Sequence, residues 1–321
     1  MAEARLSVAF AGPHVTVQDQ GRPGQMRFGV PCSGPMDRAS AAIAQAALGT
    51  PATAPLIEVS MGGLTLRCDA GPISLAIAGA GFIVEAREKL GSWVVLTLHA
   101  GDRLVIRPGP WGRWTYVAFA GDLQVPHWLN SAATHAISGF GGGRISTGQS
   151  LTLTAPRVVT HMPRPIPCPV WARPRGRAPV VIGPQDRHFT DQALADFVSG
   201  PFRMTNAFDR MGLRLAGPRL ALKGALSIPS EPILRGSVQV SGDGVATVLM
   251  ADHQTTGGYP KIATVLDCDT DALSQLRPQD PFHFVPVSPD TAVARARMAH
   301  RARAAFLARL RHQTGASPTP G

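Results

Sequence analysis

Short runs of alternating apolar and polar residues, most of them bounded by glycine or proline, recur through the first half of the chain at residues 6–10, 15–17, 64–67, 73–77, 93–98, 103–106 and 115–119. A period of two sends successive side chains to opposite faces and predicts strands with one buried side. The breaks Gly12-Pro13, Gly62-Gly63, Ala70-Gly71-Pro72 and Gly101-Asp102 supply turn chemistry between them. One segment of this half, residues 36–48, has helical character, with Asp37 near its start and Gly49 as its stop. The second half repeats the plan. It offers a strand at 180–182, a helix over 190–198 capped by Thr190, strands at 202–204 and 213–215, and a pair at 238–240 and 247–250 across the turn Ser241-Gly242-Asp243-Gly244. The pattern predicts a mainly β chain of two barrel-like domains with few short helices.

Composition supports this reading. The 321 residues include 34 Gly and 29 Pro but only 6% aromatics, which suits short strands and tight turns. With 44% hydrophobic and 16% charged positions there is core enough for two ordinary domains, and disorder of the whole chain is excluded. The apolar stretch 72–84 contains Gly79 and Gly81 and falls short of the roughly 20 residues of a membrane helix. The first ten residues carry Glu3 and Arg5 and no sustained apolar run, so a secretory signal is not expected and a cytoplasmic location is. Four cysteines, Cys32, Cys68, Cys168 and Cys268, and ten histidines are scattered without ligand spacing, which predicts reduced thiols and no metal site.

The formal charge of +10 is concentrated in two places. Arg157, Arg164, Arg173, Arg175 and Arg177 stand among prolines, and residues 161–178 read as a linker between a domain at 1–160 and another at 179–289. Arg295, Arg297, Arg301, Arg303, Arg309 and Arg311 belong to a basic, Ala-rich helix with a flexible Gly/Ser/Pro tail at 290–321. No aromatic stacking platform accompanies them, so neither nucleic acid nor membrane is expected as a partner, and the terminus is expected to be dispensable for folding.

Three polar runs carry the candidate chemistry. The first joins Gln18, Asp19 and Arg22 to Ser33 and Asp37 through a glycine-rich loop, where a ligand site and an Asp/Arg loop lock with an Asp37 cap are both open. In the second, Asp209 and Arg210 precede an alternating strand. A carboxylate there can accept or position a proton while the guanidinium holds an anionic oxygen; an exposed ion pair is the simpler alternative. The third runs Asp252-His253-Gln254-Thr255-Thr256-Gly257-Gly258-Tyr259-Pro260-Lys261, the densest polar stretch of the chain. Gly139 to Gly143 lacks a P-loop ending, and Gly79-Ala80-Gly81 lacks the third glycine of a dinucleotide fingerprint.

Through Gln18-Asp19-x-Gly21-Arg22, Ser33-Gly34-x-Met36-Asp37, Gly183-Pro184-Gln185-Asp186, Asp209-Arg210-Met211-Gly212-x-Arg214-Leu215 and Asp252-x-Gln254-Thr255-Thr256-Gly257-Gly258-Tyr259-Pro260, the chain resembles the biotin-dependent carboxyltransferase family, also called allophanate hydrolase subunit 2. Its bacterial members include the C subunits of 5-oxoprolinases. The resemblance implies two cyclophilin-like β-barrel domains and a hydrolase subunit, inactive alone, of an ATP-dependent complex that opens 5-oxoproline to glutamate with subunits A and B. Alternatives within it are carboxyl transfer from carboxybiotin on a separate carrier to a urea-like amide, and a non-catalytic antagonist of an inhibitor that resembles the B component. Asp209 and Arg210 would then be catalytic. Gln18, Asp19, Arg22, Ser33, Asp37, Asp252, Gln254, Thr255, Thr256, Tyr259 and Lys261 would bind substrate. ATP would be used through another subunit, as this chain has no nucleotide motif. Covalent biotin is not expected, because none of Lys89, Lys223 and Lys261 lies in a Met-Lys-Met-like hairpin. Two departures stand out: Leu129-Asn130-Ser131-Ala132-Ala133-Thr134-His135 replaces a Gly-Ser-x-Ser-Thr segment, and Glu231-Pro232-Ile233 replaces Glu-Gly-Ile.

Overall fold

A computed structural model describes residues 2–224 and 227–313; the expected flexible tail beyond them lies outside the described residues. The chain forms two compact units, one of Met1–Arg22, Ser33–Arg173 and Arg303–Gly321, the other of Pro23–Cys32 and Pro174–Ala302.

In the first unit the strands form two sheets. A seven-stranded sheet runs Asp122–Leu123, Ser150–Thr154, Glu3–Ala11, Leu64–Ala70, Arg103–Arg107, Ile83–Glu85, Lys89–Gly91. A six-stranded sheet runs Arg164–Pro165, Val94–Leu98, Ile73–Ala78, Thr115–Phe119, Leu56–Val59, Thr16–Gln18. Leu6, Val8 and Leu66 from one and Leu75, Leu96 and Val117 from the other share a single core, which is what alternation along each strand dictates. Strand Ile73–Ala78 is buried at every position because helix Arg38–Ala46 covers its other side. That helix is capped by Asp37, whose carboxylate accepts from the Ser40 amide at 2.9 Å. Gly79, at φ +115°, allows the close approach: a Cβ there would lie 2.7 Å from the Trp114 carbonyl oxygen and 3.3 Å from Ser40 Cβ.

Part of the segment expected as a linker is ordered structure of this unit. Arg164–Pro165 pairs with Val94–Leu98 at a sheet edge, where proline is tolerated, and Ile166 is buried. The C-terminal helix also departs from expectation. It is a single element, Pro289–Gln313, and its final turns are not merely solvated. Phe306 meets the Trp171 ring edge-on at 5.7 Å, Arg303 lies over the same ring, and Leu310 is 2% exposed. The expectation of a dispensable terminus is corrected accordingly. Leu310→Ala is expected to cost about 2–4 kcal/mol, a drop of roughly 5–15 °C in the first unit's calorimetric transition. Met298→Ala, at a position 70% exposed, should leave the transition within about 2 °C.

The second unit is a closed barrel in the order Arg177–Ile182, Lys261–Val265, Ser237–Val240, Ala246–Leu249, Gly212–Ala216, Phe202–Phe208, Pro281–Pro286. Closure comes from a parallel pairing of Pro281–Pro286 with Arg177–Ile182. Phe197, Phe202, Phe282 and Phe284 pack against one another, with Phe197 and Phe284 stacked at 4.4 Å. Helix Asp191–Ser199 carries Phe197 into this cluster and begins at Thr190, whose hydroxyl accepts from the Ala193 amide at 3.1 Å. Across four adjacent strands the register aligns Arg214 with Thr247, Thr247 with Gln239, and Gln239 with Lys261. Opposed residues in antiparallel strands point the same way. Arg214, Thr247 and Gln239 therefore form one row, on the face opposite the buried Leu213, Val248 and Val238, and a register shift at Val238/Gln239 sets Lys261 across from Gln239.

Candidate functional site

That row floors a cleft of about 600 Å³ in the second unit, whose polar lining includes Asn206, Asp209, Arg214, Gln239, Gln254 and Tyr259. Asp209 lies in the tight turn between Phe202–Phe208 and Gly212–Ala216. One carboxylate oxygen accepts from the amides of Met211 at 2.7 Å and Gly212 at 3.1 Å. The residue is exposed on the cleft, so its second oxygen is available to a ligand.

Arg210 faces the other way. It is 1% exposed and engages Asp252 through two bonds, Nε to Oδ2 at 2.9 Å and Nη2 to Oδ1 at 3.0 Å. The backbone reinforces the pair, with the Asp252 amide donating to the Arg210 carbonyl and the Met250 amide to that of Met211, both at 2.8 Å. Neither Arg210 nor Asp252 lines the cleft. Together they clamp the Asp209 turn onto the segment that begins the third polar run. The exposed Asp209–Arg210 ion pair open from the sequence does not form, since the partner of Arg210 comes from 42 positions along the chain.

His253 extends this clamp. Its ring Nδ1 lies 2.6 Å from the Gln254 carbonyl oxygen, and burial, the largest influence, pushes its pKa down, so the neutral ring donates from Nδ1. The unfolded chain therefore takes up the proton first, and stability is lost as the pH falls below about 6.5 towards the folded-state value. Calorimetry at pH 7.5 and 5.5 should show the second unit melting lower at the acid pH, and His253→Gln should reduce that difference.

Of the remaining residues in this run, Gln254 and Tyr259 line the cleft, whereas Thr255 and Thr256 do not. Lys261 is buried, and its ammonium lies 3.6 Å from Glu231. Gln185 links the two, its Oε1 accepting from the Lys261 amide at 2.9 Å and its Nε2 donating to the Glu231 carboxylate. Pro232 is accommodated in the short exposed strand Glu231–Pro232, which pairs with Thr256–Gly257.

The candidates of the first run lie in the first unit and are all buried. Asp19 accepts from the Gly21 amide at 2.8 Å, the Ser131 hydroxyl at 2.7 Å and the Ala132 amide at 2.7 Å. Arg22 donates to the Ala133 carbonyl and stacks over Trp128 at 4.8 Å. Gln18 donates to Thr16 and to the Thr134 carbonyl. All three thus hold the 131–134 segment, the stretch that departs from the family pattern. Ser33 sits at φ +54°, followed by Gly34 at +85°. Asp37 caps its helix, and its amide donates to the Tyr116 hydroxyl at 2.7 Å, which in turn donates to the Glu58 carboxylate at 2.9 Å. Among the described residues no cluster of three or more His, Cys, Asp or Glu could hold a metal, and no helix is long and apolar enough to cross a membrane.

The residues passed over in the sequence are Asn206, Arg214 and Gln239 in the cleft, and Gln185 and Glu231 behind it. Arg214, Gln185 and Glu231 stand within the quoted segments, and Asn206 lies three residues before Asp209. Gln239 sits between Val238 and Val240, where alternation alone marks it as outward-facing.

Comparison with known proteins places these features in context. The pattern of the carboxyltransferase domain, subdomains A and B, matches residues 28–286. The chain is 32% identical over 292 residues to the C subunit of the 5-oxoprolinase of Escherichia coli strain K12, covering 90% of this chain and 93% of that protein. It is 29% identical to the urea amidolyase of Lachancea kluyveri over 88% of its length but only 17% of the relative's. The crystal structure of TTHA0988 superposes with a TM-score of 0.78 at 34% identity, covering 88% of this chain and 56% of that one.

Proposed function

The chain belongs to the family of carboxyltransferase domains with subdomains A and B, and from that premise we propose that it is the C subunit of an ATP-dependent 5-oxoprolinase-type complex, acting with subunits A and B. The near end-to-end match to a 5-oxoprolinase C subunit supports this reading more strongly than the match to a small part of the longer urea amidolyases. The cleft bearing Asp209 carries the functional argument, because it sets a carboxylate with one uncommitted oxygen beside the amides of Asn206, Gln239 and Gln254.

In this reading ATP is consumed in another subunit, and the activated lactam is processed where this chain meets the B component. Asp209 orients the ring N–H, accepts its proton as the lactam is activated, and returns a proton to the nitrogen as water adds to the ring carbon and the C–N bond breaks. Gln254 and Tyr259, the members of the 252–261 run that line the cleft, orient the ring. Arg210 acts as a positioning residue, because its fork is filled by Asp252 and stabilises no oxyanion directly. The first run, through Asp19 and Arg22, shapes the 131–134 segment from behind. No covalent biotin and no metal takes part on this chain.

The test is reconstitution with subunits A and B. Glutamate should form from 5-oxoproline only when ATP and all three chains are present. Turnover that persists without this chain overturns the proposal, and ATP- and biotin-dependent carboxylation of urea in place of lactam opening favours the carboxyltransferase reading.

A further inference from the structure

The row that floors the cleft ends at Gln239, and Gln239 and Lys261 across from it carry two donors without a hydrogen-bond partner among the described residues. Gln239 is 5% exposed, lines the cleft, and its Nε2 has no hydrogen-bond partner. Lys261, opposite it on the neighbouring strand, is 3% exposed, and its Nζ has no hydrogen-bond partner either. Buried donors of this kind are rare in native proteins, and an anion is the partner that an amide N–H and an ammonium have in common. Arg214, at the other end of the row, is already engaged by Asp243 at 2.8 Å.

Two further features fit such a site. Gly257 lets the backbone pack against the amide: a Cβ there would lie 2.6 Å from Gln239 Nε2, so a side chain at this position would push the Gln239 amide aside. Glu231 supplies a carboxylate from outside. It is exposed, lies 3.6 Å from Lys261 Nζ, too far for a hydrogen bond, and sits on a two-residue strand that pairs with Thr256–Gly257. Held by Gln185 and bonded to neither donor, on an exposed short strand, this carboxylate is a counter-ion that another carboxylate can replace.

We propose that Gln239 and Lys261 form a recognition pair for the carboxylate of the substrate, and that Glu231 is an internal stand-in which that carboxylate displaces. A planar two-oxygen anion matches one amide N–H and one ammonium, and its single charge balances the single lysine. The site thereby selects amides that carry a carboxylate over uncharged urea-like ones. This deepens the 5-oxoprolinase-type reading and rests on it for the identity of the lactam.

The test is isothermal titration of the full chain with 5-oxoproline and with its carboxamide, which keeps the lactam and loses the charge. The native chain should bind 5-oxoproline at least tenfold more tightly than the carboxamide. Gln239→Leu and Lys261→Met should each remove most of that preference, and Glu231→Gln should strengthen 5-oxoproline binding about threefold or more. Melting curves check that each variant is folded, and Glu231→Gln gives an answer even if Lys261→Met unfolds. Equal binding of the two ligands, no binding at millimolar concentration, or affinities unchanged in Gln239→Leu and Glu231→Gln overturns the proposal. A reconstituted complex that opens 5-oxoproline with a KM indifferent to Gln239→Leu sinks this inference and leaves the functional reading standing. Charge-selective binding through the pair in a complex that does not open 5-oxoproline does the reverse.

Discussion

Asp209→Asn is expected to lower 5-oxoproline turnover by the reconstituted complex on the order of a hundredfold or more, the scale on which general acid–base groups act. The geometry makes this substitution a clean one. The Oδ1 that accepts from the Met211 and Gly212 amides is retained by asparagine, so the turn keeps its cap. What is lost is the charge and basicity of the oxygen left to the cleft. Melting temperature and binding to the B component should hardly move, since an exposed side chain that keeps its hydrogen bonds changes stability by about 0.5 kcal/mol or less. Asp209→Ala removes the turn cap as well and should cost a further 1–2 kcal/mol or so of stability. Full turnover in the asparagine variant with none in the alanine variant would make Asp209 a hydrogen-bonding positioner, and full turnover in both would remove it from the chemistry. The kinetics are measured at saturating ATP, so that the activating step in another subunit does not mask the loss.

The fold is legible where local chemistry decides it, and the site is legible only in part. Thr190 and Asp37 cap their helices as the sequence indicates, because a cap is a contact over three residues. The strand Pro281–Pro286, which closes the barrel, escapes notice since its two prolines read as breakers; they stand at its ends. Leu56–Val59 gives no alternation to detect, being buried on both faces. The arginines of the C-terminal helix dominate its sequence, although Phe306 and Leu310 decide its docking, and they do so only once Trp171 is brought beside them. The site hides in the same way. Asp209 and Arg210 are adjacent in sequence, yet the cleft takes one and the interior the other, and no local rule announces that Asp252 will claim the guanidinium. Gln239 becomes conspicuous only when strand register sets it beside Lys261.

Breaking the Arg210–Asp252 pair from one side should have the largest effect on stability of any single substitution in the second unit. Both residues are 1% exposed, so Arg210→Met leaves a carboxylate buried without its cation, and Asp252→Asn the converse. Losses of this kind run to about 3–5 kcal/mol, which is roughly 10 °C or more in the unit's transition. The double variant Arg210→Met with Asp252→Leu should recover much of that loss, because an apolar pair of similar volume avoids the desolvation of two charges. The coupling read from this cycle isolates the pair from the packing around it. The double variant also separates folding from function. If the clamp serves only stability, the recovered protein should be fully active. If it fixes the Asp209 turn against the Gln254 loop, as the paired amides of Met250 and Asp252 suggest, the recovered protein should melt near the native temperature and still turn over at least tenfold more slowly, with the deficit in kcat rather than KM.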